Sequence, residues 1–181
     1  MIIGERWPKS GVEVVVTVLE GDEDAWWGDG VSSGGGGGGW GLLNVLAGCI
    51  TVASAAIVDA GIDCVDVVSG GVAATIKSGD EGNDLITVMD PCPAEHQHIV
   101  AACAVGYLAG RDEITEIWMK GDVGVDPDSL IEGATHAAVG SLTVLKEVLL
   151  EAVMAKVKDE AGQKGDSLEN TSPPQDVEMT G

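Results

Sequence analysis

The sequence predicts an α+β domain, a mixed β-sheet with helices packed on one face. Three observations lead there. Runs of β-branched residues recur at Val12–Leu19, Cys64–Ile76, Leu85–Met89, Ile99–Val105 and Ile114–Met119. An uncharged stretch runs from Trp40 to Val58. A second helical run opens at Asp126-Pro127-Asp128-Ser129. The resulting order, strand, helix, several strands, helix, belongs to that layered class, and no internal repeat interrupts it.

Taken in order, Val12–Leu19 is bounded by Pro8, Ser10 and Gly11 before and by Gly21-Asp22-Glu23-Asp24 after, which predicts a strand and makes 1–20 a leading strand region. Residues 21–41 hold six consecutive glycines, Gly34 to Gly39, and read as a flexible surface loop. A helix follows from about Leu42 to Ala60, where Gly61 suits a left-handed cap. Its lack of charge nearly matches a bilayer-crossing segment. The absence of flanking Lys or Arg and the presence of Asn44, Gly48, Thr51 and Ser54 favour a buried core helix instead. Cys64–Ile76 predicts a strand in which Gly70-Gly71 marks a bulge or a close backbone approach. A polar loop, Lys77 to Asn83, leads to the strand at Leu85, and Pro91 and Pro93 mark a turn. Gly110-Arg111-Asp112 separates the last two strands. In the final helix Leu130, Ala134, Ala137, Ala138, Leu142, Leu145, Val148 and Leu149 keep helical spacing to about Val157, and 158–181 reads as a disordered acidic tail.

Composition narrows the function classes. The chain has 181 residues, 9 basic and 30 acidic, a net charge of −21, and 45% hydrophobic side chains. That apolar content supports a packed core and is unlike a disordered chain. The basic residues are scattered, so no stripe exists to hold nucleic acid by counterion release. Cys49, Cys64, Cys92 and Cys103 sit in apolar runs and read as small buried side chains in a reducing compartment. The first residues lack the layout of a secretory signal, which places the protein in the cytosol or nucleus.

Several motifs carry possible chemistry. The glycine run before a helix resembles a phosphate cradle, but no Lys or Arg stands in the loop or the first helical turn. Cys92, His96 and His98 form C-x3-H-x-H, yet a zinc site needs a further donor pair and His136 stands alone on the last helix, so no metal site is assigned. Asp80, Glu81 and Asp84 offer paired carboxylates in a loop, which is near expectation for so acidic a chain. Trp26, Trp27 and Trp40 flank the glycine loop and either anchor a partner or fold back on the sheet. No Ser-His-Asp or Cys-His arrangement suggests a nucleophile.

The segments Lys9-Ser10-Gly11-Val12-Glu13-Val14, Ala55-Ala56-Ile57-Val58-Asp59-Ala60-Gly61-Ile62, Asp66-Val67-Val68-Ser69-Gly70-Gly71-Val72 and Glu116-Ile117-Trp118-Met119-Lys120-Gly121-Asp122 resemble the RNase PH-like family. The resemblance covers roughly Glu5 to Lys156. Within that family it is similar to eukaryotic RNA exosome ring subunits of the mRNA-transport-regulator type. It implies an RNase PH-like, ribosomal protein S5 domain 2-like fold, with 42–157 as the C-terminal portion of the domain and its N-terminal half lacking. Two departures bear on chemistry. Active members bind phosphate with a Gly-Gly-Thr-Arg-Thr-like segment, where this chain has Gly38-Gly39-Trp40-Gly41-Leu42. They also carry an Asp-Leu-Asp-Tyr-x-x-Asp-like acidic segment, where this chain has Lys77-Ser78-Gly79-Asp80-Glu81-Gly82-Asn83. The resemblance therefore implies a non-catalytic structural subunit, with no catalytic, cofactor-binding or metal residues and no cofactor. The alternative is an active phosphate-dependent 3′-to-5′ exoribonuclease using Asp80 or Asp84. The partners implied are other RNase PH-like exosome subunits in a hetero-hexameric ring and cap proteins, with RNA met only indirectly or weakly and no membrane. The locations implied are the nucleus, including the nucleolus, and the cytoplasm.

Overall fold

A computed structural model describes residue 2 and residues 11–20, 40–78, 84–92, 95–96, 99–121 and 126–169, with side chains to 158. The elements are α1 (Gly41–Asp59), β1 (Val68–Lys77), β2 (Leu85–Met89), β3 (Ile99–Leu108), β4 (Glu113–Gly121) and α2 (Pro127–Glu169). The chain divides into two units, Met1–Leu145 and Lys146–Gly181.

The first unit is built on a four-stranded sheet in the order β2-β1-β3-β4. Every pairing is antiparallel, so the α+β class holds while the expected mixed sheet is replaced by an antiparallel one. The connections explain this: β1 to β2 and β3 to β4 are short, and short links join antiparallel neighbours. β1 and β3 are buried over most of their length, on both faces.

The two helices lie on opposite faces of the sheet, which corrects the expectation of helices on one face. A Cβ on Gly70 would run into the backbone of Ala47 in α1, and a Cβ on Gly71 would run into Ala134 and Ala138 in α2. Successive strand residues project to opposite sides, so those helices cannot share a face. The core is accordingly double. Val72, Ala74, Ala102 and Ala104 pack with Leu43 and Ala47 on the α1 side. Ala73, Cys103, Val105 and Tyr107 pack with Leu130, Ala134 and Ala138 on the α2 side. Gly70-Gly71 thus marks a close backbone approach, and the β1–β3 irregularity falls at Thr75/Ile76.

β1 begins at Val68 and not at Cys64, because Asp66 turns the chain. Its Oδ1 accepts the Val67 N–H at 2.8 Å and its Oδ2 accepts the Gly110 N–H at 2.6 Å. The outer edge of β1 before β2 joins it is closed by α1 side chains. The Val68 N–H donates to Ser54 Oγ at 2.9 Å and the Gly70 N–H donates to Thr51 Oγ1 at 2.8 Å. Hydroxyls here do what a neighbouring strand would otherwise do.

α1 ends as the sequence predicts, with Gly61 at φ 72° and its N–H bonded to Val58 O at 2.9 Å. It is less buried than a core helix should be: only Gly41, Leu43 and Ala47 are buried, and Leu42 and Val52 are exposed. By length and composition α1 is also able to cross a membrane, but one face is committed to the sheet. Residues 11–20 form no strand and their apolar side chains are exposed, Leu19 at 93%. A strand needs a neighbour for its backbone groups, and among the described residues this run has none. Ile2 makes an isolated bridge with Cys64. Of the expected loop at 21–41, residues 21–39 lie outside the described residues, and Gly41 already belongs to α1.

α2 opens as predicted, with Asp126 Oδ1 accepting the Asp128 N–H at 3.2 Å and Pro127 at the first helical position. It continues to Glu169, past the expected end near Val157, so 158–169 is helical where a disordered tail was expected. Lys, Glu, Ala and Gln dominate Lys156–Lys164, and their helix propensity outweighs the scarcity of apolar anchors. Residues 170–181 lie outside the described residues. In the second unit Val148, Leu150, Val153, Met154 and Val157 are exposed.

Candidate functional site

The sequence candidates direct attention to two places, the start of α1 and the link from β1 to β2. The first place is marked by Trp40, which precedes α1 in αR conformation with no side-chain cap hydrogen bond. No acidic side chain lies in the first turn of α1. The structure brings Lys120 of β4 to this point, its Nζ 5.1 Å from the centre of the Trp40 ring. Spacing could not reveal that pair, since 80 positions separate the residues in sequence, as 120 − 40 shows. The only signal was Trp40 itself, whose aromatic face attracts a cation. An ammonium on an indole is a point charge, without the planar fork by which a guanidinium grips phosphate in two places.

At the second place, the Asp84 carbonyl accepts the Ser78 N–H at 3.0 Å and closes the loop between β1 and β2. Asp80 and Glu81 lie outside the described residues. The carboxylates considered as an acid–base pair are therefore represented by Asp84 alone.

The C-x3-H-x-H segment is shaped by its own backbone. His96 Nδ1 lies 3.0 Å from the Cys92 carbonyl oxygen, which also accepts the His96 N–H at 3.0 Å. His98 lies outside the described residues, and His136 stands on α2, away from this turn in sequence. Among the described residues no group of three or more His, Cys, Asp or Glu side chains is placed to hold a metal ion.

A groove of about 580 Å³ opens beside the closed edge of β1, lined among others by Asn44, Thr51, Val72, Asp90, His136 and Ser141. Asn44 donates from Nδ2 to the Pro91 carbonyl at 2.6 Å, while its Oδ1 is buried without a partner. Asp90, at φ 50°, turns the chain after β2 and donates its N–H to Val72 O at 2.8 Å. The Asn44 Nδ2 and the Asp90 N–H thus serve the sheet edge.

Among the described residues two side chains carry shifted acidities. Burial pushes the Cys103 thiol up to about 11, so it stays protonated at neutral pH and is no thiolate nucleophile. The Tyr107 hydroxyl is raised above its ordinary value, chiefly by donating to Asp112 Oδ1 at 2.5 Å, with burial and the Asp112 charge adding to it. Both belong to the core on the α2 side, and Tyr107 also ties β3 to the hairpin at Asp112.

No family model matches the chain. It is 46% identical over 156 residues to exosome complex component MTR3 of Chaetomium thermophilum, covering 84% of this chain and 53% of that protein. It is 31% identical over 122 residues to exosome complex component mtr3 of Schizosaccharomyces pombe, covering 66% of this chain and 38% of that protein. The chain thus spans about half or less of the length of the curated relatives it matches.

Proposed function

This chain belongs to the family of those MTR3-type exosome components, and from that premise we propose that it serves as a non-catalytic structural subunit of the RNA exosome ring, supporting 3′-to-5′ RNA processing and degradation. The observation that carries the reading is the 46% identity over 156 residues, 84% of this chain. The sequence before α1 supports the non-catalytic part. Phosphorolysis needs an anchored phosphate beside carboxylates, and Gly38-Gly39-Trp40-Gly41-Leu42 offers no arginine for it.

The partners in this reading are other RNase PH-like subunits of a hetero-hexameric ring and its cap proteins. The charge of −21 leaves contact with RNA to more basic neighbours. The nucleus with its nucleolus, and the cytoplasm, are where such an assembly would carry the chain. Two measurements test the proposal. Affinity purification of the tagged chain should recover other exosome subunits, and recovery of the chain alone would overturn the assembly role. Incubation of the purified chain with single-stranded RNA and inorganic phosphate should release no nucleoside diphosphates. Their release would overturn the non-catalytic role and favour a phosphate-dependent exoribonuclease.

A further inference from the structure

Among the described residues β4 is an edge strand of nine residues, all of them exposed. Its apolar side chains lie on both faces: Ile117, Trp118 and Met119 are exposed to 49%, 56% and 46%. An edge of this kind is a template for another strand unless something blunts it. Beyond the β3–β4 irregularity at Gly106/Tyr107, the ladder from Glu116 to Gly121 is regular.

The backbone of that regular stretch can be oriented from the opposite side of the sheet. Gly70 donates its N–H to Thr51, away from β3. Backbone groups alternate sides along a strand, so Gly71 points toward Val105, its partner in β3. Ala104 then points toward β4, opposite Trp118. Trp118 is bonded inward, and Ile117 and Met119 present their N–H and C=O groups outward.

The side chains of this stretch are self-complementary about Trp118: acid, apolar, indole, apolar, base, from Glu116 to Lys120. We propose that β4 pairs antiparallel with β4 of a second copy of this chain, about a two-fold axis through Trp118. In that register Glu116 of each copy faces Lys120 of the other, on the α1 side of the sheet. Ile117 faces Met119 on the α2 side, and the two indoles meet at the axis. That central pair is the non-hydrogen-bonded kind, in which side chains approach most closely. The bulged Thr115 falls opposite Gly121, whose φ of 127° ends the strand, so the irregular residue lies outside the paired segment. A register centred on Ile117 would instead set Glu116 against Trp118 and Lys120 against Ile114, with no charge matched. The contact is isologous and closes at two copies. It rests on β4 alone and stands apart from the ring reading.

An interface of one strand is smaller than a typical stable complex, about 1,200–2,000 Å² of buried surface, so the dimer is weak and depends on concentration. Sedimentation equilibrium of the full chain should show monomer at low concentration and dimer with a midpoint of roughly 10–100 μM. Glu116→Lys and Lys120→Glu each set like charges opposite one another, and each should raise the midpoint about tenfold or more. Mixed in equal amounts, the two variants should dimerise with each other at the wild-type midpoint, because every facing pair is again of opposite sign. A chain that stays monomeric, a dimer indifferent to both variants, or a mixture that fails to recover would each overturn the proposal. Should a charge variant lose its helical circular dichroism, Trp118→Cys carries the test. Mild oxidation should yield a disulfide-linked dimer mapped to position 118, since paired Cα atoms of about 4.5 Å permit the bond, and absence of that crosslink would overturn the proposal equally.

Discussion

β3 and β4 are neighbours in one sheet, yet one is closed to solvent along most of its length and the other is open on both faces. Their difference does not lie in hydrophobicity, since β4 carries Ile114, Ile117, Trp118 and Met119. It lies in side-chain size. β3 and its partner β1 are largely Gly, Ala, Cys and Val, which lets two helix backbones come down onto the sheet from opposite sides. Small residues here buy proximity, and proximity is what excludes water. The larger side chains of β4 remain a surface.

That contrast can be broken most severely at Gly71. Gly71→Val places side-chain carbons inside the backbone of α2 at Ala134 and Ala138, and no rotamer relieves a clash at Cβ. The expected result is loss of the cooperative thermal transition followed by circular dichroism. Leu130, 1% exposed, is the large apolar side chain that α2 sets into the same layer. Leu130→Ala should cost about 3 kcal/mol in urea unfolding, from lost burial and the cavity left behind.

A smaller effect comes from Tyr107, where β3 meets the hairpin. Tyr107→Phe removes the bond to Asp112 and should lower stability at neutral pH. Because the folded Tyr107 ionises above its ordinary value, the unfolded tyrosine loses its proton first, near pH 10. The advantage of wild type is therefore complete below that pH and disappears as pH rises through the higher folded value. Unfolding of both chains at pH 8 and above pH 10 measures it, and a gap that stays constant would contradict the hydrogen bond. The smallest effect is expected at the open strand. Ile117→Thr should change the stability of the dilute chain by no more than about 0.5 kcal/mol, because about half of the residue is already in water.

Much of this architecture was legible in the sequence. The bounds of α1, the Gly61 cap, β2 and the Asp126-Pro127 start of α2 follow from local rules about charge, glycine and capping. What local rules could not supply was the side of the sheet on which each helix lies. Gly70-Gly71 announced a close approach, but two adjacent glycines meeting two different helices is a fact of tertiary packing. The leading run Val12–Leu19 shows the opposite limit: its residues favour a strand, and propensity without a partner leaves it unpaired. At the candidate site the missing arginine before α1 was visible by inspection. The Lys120–Trp40 contact was not, because it depends on β4 folding back beside the start of α1.

The hydroxyls of Thr51 and Ser54 have a consequence for α1 as a rigid body. An apolar helix lying on glycine and alanine is smooth, and nothing in dispersion forces alone stops it from gliding along its axis. Two fixed polar pegs, three residues apart, engage two amides of β1. A slip of one helical turn would carry both away by about 5.4 Å and strand those amides. The helix is thereby indexed to a single notch, like a key cut to one depth.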